Sequence, residues 1–244
     1  MQYRGSSVYD KDEFFEHYMN RRHREESPNE SIETPSLFEL LGCVEGKDLL
    51  DLGCGDASIG KMLLTSKGAR SYTGVDGSKN MCKKAEQNLA GLNGKTVEAA
   101  MESYDFTRDT FDIILSQLAI HYIEDFSALA ANIHKALKPH GTFVFSVQHP
   151  LITSSFESLQ ASGRRSSWLV DNYYFSGQRI EPWIGEQVVK YHRTIEEYFI
   201  TLQKAGFTIH SLREATPRRE NFSSQEEYER RMRIPLFLLF GCNK

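Results

Sequence analysis

The chain has 244 residues and a formal net charge of -4, with 40% apolar and 25% charged side chains, values that suit one folded domain with a substantial core. The acid excess argues against a dedicated nucleic-acid binder, whose phosphate-facing surface is strongly basic; the basic clusters at Arg21, Arg22 and Arg24, at Arg164 and Arg165, and at Arg230, Arg231 and Arg233 read as solvated helix faces. Cys43, Cys54, Cys82 and Cys242 are scattered without a Cys-x-x-Cys pair, the N-terminus is polar, and no apolar run approaches the ~20 residues of a membrane span, so a cytoplasmic protein with reduced thiols and no membrane partner is expected.

Residues 1–40 read as an N-terminal helical cap, helical from residue 9, with Phe14 and Tyr18 at i, i+4 spacing. Ser27-Pro28-Asn29 interrupts it, and Pro35 allows a second helix to begin near Ser36. From Lys47 strands and helices alternate. Leu49, Leu50 and Leu52 form a strand that runs into Gly53-Cys54-Gly55, and Ile59, Met62 and Leu63 mark the helix after it. Tyr72 to Val75 is a second strand ending at Asp76, and Met81, Ala85 and Leu89 give the next helix its apolar face. Thr96 to Ala100 is a weakly apolar third strand and Phe111 to Leu115 a clear fourth. Phe126, Leu129, Ile133 and Leu137 mark a helix that Pro139 and Gly141 end, before a fifth strand over Thr142 to Val147.

Residues 149 to 187 break this rhythm and are rich in Ser, Gly and aromatics, which predicts an irregular, inserted lid. Thr194-Ile195-Glu196-Glu197 reads as a capping box opening a helix that reaches Gly206. Two last strands, Phe207 to Leu212 and Ile234 to Cys242, flank a charged link. Strand–helix alternation of this kind predicts a mainly parallel sheet with helices on both faces, in a single domain over residues 1–244.

The most informative stretch is Asp51-Leu52-Gly53-Cys54-Gly55-Asp56, where the first strand meets its helix. Glycines there let the backbone turn sharply and approach a ligand, at the carboxyl edge where open α/β sheets bind. Asp76, ending the next strand, suits the two hydroxyls of a ribose. A dinucleotide needs the third glycine of Gly-x-Gly-x-x-Gly; here that position is Ser58, and Gly60 comes two residues late. An acid before the first glycine suits a cationic ligand better than a pyrophosphate. The balance favours S-adenosylmethionine (SAM), which carries a sulfonium and an amino group and no phosphate.

At these positions the chain resembles the class I SAM-dependent methyltransferases, over roughly residues 40 to 150. Asp51-Leu52-Gly53-Cys54-Gly55 looks like their first motif and Gly74-Val75-Asp76-Gly77-Ser78 like their second. Phe111 to Ser116 matches the fourth-strand motif, and Leu137-Lys138-Pro139-His140-Gly141 the approach to strand five. The resemblance implies a Rossmann-like, seven-stranded sheet closed by an antiparallel terminal hairpin. It also implies roles: Asp51, Gly53, Cys54 and Gly55 around the methionine moiety, and Asp76, Gly77 and Ser78 at the ribose. Met81, Met101 and Glu102 would lie at the adenine, Ser116 and Gln117 beneath the methyl donor, and Tyr18 and Arg22 over the cofactor, Arg22 toward its carboxylate.

On the acceptor side, methyl transfer from a sulfonium is an in-line displacement dominated by positioning, and a base is needed only where the acceptor holds its proton tightly. His149 or His192 is the candidate base, and His121, Tyr122 and Tyr191 share the same edge of the sheet. Trp168, Tyr173 and Trp183 would wall a flat substrate, and Arg179 would pair with an acidic group. Ser116-Gln117-Leu118-Ala119 lacks the Asn/Asp-Pro-Pro-Tyr/Phe signature resembling adenine-N6 and glutamine methyltransferases, and no acid follows this strand to hold magnesium, so metal-independent O- or N-methylation of a small molecule is expected. A nicotinamide-dependent oxidoreductase and a catalytically silent SAM-binding partner remain as alternatives.

Overall fold

A computed structural model describes residues 2–22, 27–159 and 167–244; Arg24, Arg164 and Arg165 of the basic clusters lie outside them. From the N-terminus, strand β1 (Gln2–Arg4) leads through a 3-10 stretch (Gly5–Asp10) into α1 (Asp12–Arg22). A π-helical turn (Asn29–Glu33) runs directly into α2 (Thr34–Leu41), where Pro35 occupies the first turn and needs no amide partner.

Then come β2 (Asp48–Leu52), α3 (Ser58–Ser66), β3 (Ser71–Asp76), α4 (Lys79–Leu89), β4 (Gly94–Glu98) and β5 (Phe111–Gln117). They are followed by α5 (Phe126–Ala136), β6 (Leu137–Gln148), the short α6 (Pro150–Thr153), β7 (Gly177–Trp183) and β8 (Glu186–His192). The chain ends with α7 (Ile195–Lys204), β9 (Thr208–Glu214), α8 (Gln225–Arg231) and β10 (Phe237–Asn243).

The main sheet has seven strands in the order β4-β3-β2-β5-β6-β10-β9, parallel except for β10, which is antiparallel to both β6 and β9. Chain direction across the sheet reverses between β2 and β5, so the crevice beyond their carboxyl ends is the natural ligand site. Both faces are covered. On one side Phe143, Phe145 and Phe240 pack against Tyr198 and Leu202 of α7; rings 143 and 145 stack at 4.8 Å and rings 145 and 240 at 5.3 Å. On the other side Leu37, Leu41 and Leu63 pack on Leu49, Tyr72 and Leu239. Leu49, Leu50 and Leu52 are all fully buried, as the continuous apolar run of a central parallel strand requires.

The capping box at α7 is present in both directions, Thr194 Oγ1 accepting from Glu197 N at 3.1 Å and Glu197 Oε2 from Thr194 N at 2.7 Å. Among the described residues no helix is long and apolar enough to cross a membrane.

Four features depart from the sequence reading. The lid expected over 149–187 is irregular only in part: from Gly177 the chain forms the β7–β8 hairpin, closed by a two-residue turn at Ile184 (φ 48°) and Gly185 (φ 79°). Its alternation is hidden because β8 buries Lys190 and His192 where apolar residues would mark a strand. The helical cap expected over 1–40 opens instead with β1, which pairs in parallel with β8 (Gln2 with Gln187, Arg4 with Val189), and α1 begins only at Asp12. Within the charged link, Ser224 accepts from Glu227 N and starts α8. Finally, β6 begins at Leu137 instead of Thr142; its pairing with β5 is irregular between Phe111 and Ile113, and His140 adopts φ 63°.

Candidate functional site

A cavity of about 370 Å³ opens at the carboxyl ends of β2, β3 and β5. Its floor is the turn that ends β2. Gly53 has φ 77°, and a Cβ there would overlap the Cβ of Ala119, so the cavity depends on a glycine at that point. Asp76 is buried at the end of β3; its Oδ2 accepts from Gly55 N at 2.9 Å and its Oδ1 from Ser78 N at 2.9 Å. One carboxylate therefore couples the two glycine-bearing turns, and burial raises its pKa.

Met81, Met101, Glu102 and Ala100 form one end of the cavity. Its roof is the stretch from Arg4 to Asp10, which the sequence reading did not assign to the site. Ser78 donates to Asp10 Oδ1 at 2.7 Å and Asn80 Nδ2 to the Tyr9 carbonyl at 3.2 Å, and a Cβ on Gly77 would overlap Ser6 Oγ.

Behind the glycine turn Asp51 is 2% exposed; Oδ2 accepts from Tyr72 Oη at 2.6 Å, while Oδ1 has no partner among the described residues. Burial pushes its pKa up to about 7 against the pull of Tyr72 and Arg22. Beside it runs a buried chain that was not read from the sequence. Gln117 donates its amide to Glu33, which is wholly buried, and its Oε1 accepts from Arg22 Nη2 at 3.0 Å. Arg22 Nη1 also donates to Tyr18 Oη at 3.1 Å, and Arg22, Tyr18 and Gln117 all line the cavity. Burial pushes the Glu33 carboxyl up to about 7.

A second chamber of about 180 Å³ shares a wall with the first, formed by Tyr9, Tyr18, Arg22, Leu118 and Tyr122. The Tyr9 and Tyr122 hydroxyls stand 3.3 Å apart in this partition, and the Tyr9 and Tyr18 rings meet edge-on at 4.8 Å. The chamber's far side is the β7–β8 hairpin. There Trp183 flanks the Lys190–Glu181 ion pair, in which both side chains are almost fully buried. The Lys190 nitrogen lies 5.1 Å from the Tyr122 ring centre and 5.3 Å from that of Trp183. Burial works against the ammonium, but Glu181 and Tyr122 outweigh it and its pKa is raised. His121 lines the same chamber; burial first, then Lys190 and Arg193, holds it well below the usual histidine range.

The residues marked in the sequence thus divide. Gly53, Gly55, Asp76, Gly77, Met81, Met101, Glu102, Gln117, Tyr18 and Arg22 converge on the larger cavity. Tyr191 also lines it and donates to Glu124 Oε2 at 3.0 Å, while Tyr122 lines both spaces and Trp183 the smaller. Cys54, Ser78 and Ser116 lie behind the wall: Cys54 Sγ packs where a Cβ on Gly74 would stand, Ser78 caps α4, and Ser116 Oγ donates to the Leu52 carbonyl at 2.6 Å.

The two histidines expected at the chemistry are not brought to either space. His149 Nδ1 accepts from Leu151 N at 3.2 Å, which leaves the proton on Nε2 to bond Glu214 at 2.9 Å. His192 bridges Thr153 Oγ1 (2.7 Å) and the Tyr173 carbonyl (2.8 Å). Tyr173 packs on His192 at 5.6 Å, Trp168 lies under Arg233 at 5.2 Å, and Arg179 donates to the carbonyls of Ser154, Asn172, Phe175 and Gln178. These side chains bind the described segments on either side of β7 and do not wall the chamber. Among the described residues no three His, Cys, Asp or Glu side chains converge as a metal site would need.

Glu33, Lys190 and Glu181 were missed because Glu181 falls in the stretch read as an irregular lid, while Glu33 and Lys190 stand in segments given no site role. A lone charge inside an apolar-patterned strand, as Lys190 in Val188-Val189-Lys190-Tyr191, is the signal that marks such a residue.

The larger cavity and the buried acid behind its floor fit SAM. Asp51 Oδ1, behind the glycine turn, is a buried acceptor without a donor among the described residues, Gly53 leaves a cradle that a side chain would fill, and Asp76 faces the cavity from the end of β3. Residues 50–145 match the family model described as a methyltransferase domain. An uncharacterized Haemophilus influenzae protein is 34% identical over 221 residues, covering 85% of each chain. A crystal structure of a SAM-dependent methyltransferase from Mesorhizobium loti superposes with a TM-score of 0.80 at 32% identity, covering 87% of this chain and 97% of that one. A Listeria monocytogenes protein classed with the same enzymes gives 0.79 at 32%, over 87% and 96%. With the parallel sheet, the glycine turn and Asp76 in place, these likenesses establish that the chain belongs to the class I SAM-dependent methyltransferases.

Proposed function

We propose that the chain is a single-domain enzyme that transfers the methyl group of SAM to an oxygen or nitrogen atom of a small molecule, without a metal. The observation that carries this reading is the 180 Å³ chamber that shares its Tyr9–Tyr18–Tyr122 wall with the cofactor cavity. A space of that size accepts a small molecule, and it lies behind α1 and the β7–β8 hairpin.

Asp51, Gly53 and Gly55 would hold the methionine end of SAM, Asp76 the ribose, Met81 and Met101 the adenine, and Arg22 the carboxylate. When bound, SAM supplies an electrophilic methyl carbon on a sulfonium. The protein's own contribution is orientation, which is the dominant lever in an in-line displacement. The Tyr9, Tyr18 and Tyr122 partition excludes water and fixes the direction of approach. His121 Nδ1 accepts from Gln148 N at 3.4 Å, which leaves its proton on Nε2 as a donor to an acceptor molecule. All three histidines thus have their lone pairs engaged, so the reading assigns catalysis to positioning and not to a histidine base.

The test is incubation of the full chain with methyl-labelled SAM and a cell extract separated into low-mass and macromolecular fractions. Label in the low-mass fraction supports the reading. Label confined to protein or RNA overturns it.

A further inference from the structure

The chamber beside the cofactor cavity has an imbalance of charge and of hydrogen-bond donors. Five charged side chains line it: Arg21, Arg22, Lys190 and Arg231 are cationic and Glu181 alone is acidic. Lys190 is paired with Glu181 and Arg231 with Glu227 outside the chamber, yet neither pairing removes the cations from its wall. Trp183 Nε1 and Arg22 Nε are buried N–H groups with no hydrogen-bond partner among the described residues. A buried donor without an acceptor costs about 1–3 kcal/mol, so one on each side of so small a chamber marks a place for acceptor atoms. Gln148 has the opposite lack: its Oε1 is buried without a donor, while its Nε2 donates to Glu181 at 3.4 Å.

We propose that the acceptor is an anionic small molecule whose carboxylate or phosphate group is held by the Lys190, Arg21, Arg231 and Trp183 wall, and which presents a hydroxyl or amine hydrogen to Gln148. This inference rests on the small-molecule reading above and adds its chemical class. An acid group supplies several acceptor lone pairs and a charge opposite to the surrounding cations, in a site where desolvation strengthens both. A neutral or cationic acceptor would leave the N–H groups unmet, and a cation would face the four like charges.

The chain has two tryptophans, so Trp168→Phe leaves Trp183 as the reporter inside the chamber. The full chain, saturated with the demethylated cofactor, is titrated with benzoate, inorganic phosphate, benzamide and benzylamine. A saturable change in Trp183 fluorescence with benzoate or phosphate is expected, at least ~10-fold tighter than with benzamide or benzylamine. Which anion binds more tightly distinguishes a carboxylate from a phosphate acceptor. The paired substitution Lys190→Met with Glu181→Gln removes both charges, so no uncompensated buried charge remains to unfold the hairpin. It is expected to weaken the anion by at least about fivefold while the demethylated cofactor binds as before. Benzamide or benzylamine binding as tightly as the better anion overturns the anionic class and leaves the small-molecule reading intact. No saturable change with any of the four, while the cofactor binds, overturns both.

Discussion

Ser78 donates its hydroxyl to Asp10 at 2.7 Å, and that bond ties the N-terminal roof of the cofactor cavity to the turn directly after Asp76. Asp10 also receives Asn80 N at 3.3 Å, so one carboxylate holds two groups of the α4 start. Asp10→Ala is expected to leave the fold intact and to weaken binding of the demethylated cofactor by about 3–10-fold, roughly 0.7–1.4 kcal/mol, because the tie acts on the roof and not on the ligand itself. Isothermal titration calorimetry measures this; an unchanged affinity would show that the roof closes without the tie.

Asp76 bonds the backbone of both glycine-bearing turns as well as facing the cavity. Asp76→Ala is expected to abolish the thermal shift given by SAM, because the binding loss comes with two buried amides left unmet, at about 1–3 kcal/mol each. An undiminished shift would remove the aspartate from the site.

The carboxyl of Glu33 gives a pH signature. Its folded pKa is raised to about 7 from 4.5, so between those values the folded state binds the extra proton. Its stabilising contribution is complete below the unfolded value and is lost as pH rises through 7. Glu33→Gln, which does not titrate, is therefore expected to gain on the wild type by roughly 1–3 kcal/mol between pH 5 and pH 8 in urea unfolding. A constant difference across that range would place the carboxylate in a more polar setting than its burial indicates.

The three histidines separate by role. His149→Ala and His192→Ala each remove a ring bonded at both nitrogens, so a stability loss of about 1–3 kcal/mol is expected with turnover nearly retained. Because burial lowers the pKa of His121, His149 and His192, none changes charge above the ordinary histidine value. The kcat profile is expected to show no histidine limb between pH 7 and 9. A kcat loss of more than about a hundredfold in either variant would restore it as a catalytic group.

Much of the parallel sheet and of the larger cavity's lining was legible because each signal was local. Leu49, Leu50, Leu52 and the glycines after them sit within one strand–turn–helix unit, where backbone need and residue type coincide, and Asp76 ends the very next strand. The capping box at Thr194 is likewise contained in four residues. The smaller chamber was not legible, because its walls come from α1, the 120–122 turn, the end of β6, the hairpin and the start of β10. Trp168, Tyr173 and Arg179 have the composition of a substrate wall, yet Arg179 meets only backbone carbonyls and Trp168 packs under Arg233. Lys190, the cation that does face the chamber, stands in a strand whose pairing with β7 and β1 could not be read from either segment alone.

That pairing has a dynamic meaning. Since β1 leads straight into the cofactor's roof and hydrogen-bonds to the strand carrying Lys190, the cover of one compartment continues from the same three-stranded sheet that forms the back wall of the other. Loosening that sheet opens both compartments together, and leaving it closed seals both. Amide protection in β1 and in β8 is therefore expected to rise in step in hydrogen exchange when the demethylated cofactor saturates the chain. Protection that rises in β1 while β8 exchanges as before would mean that the roof and the hairpin open independently.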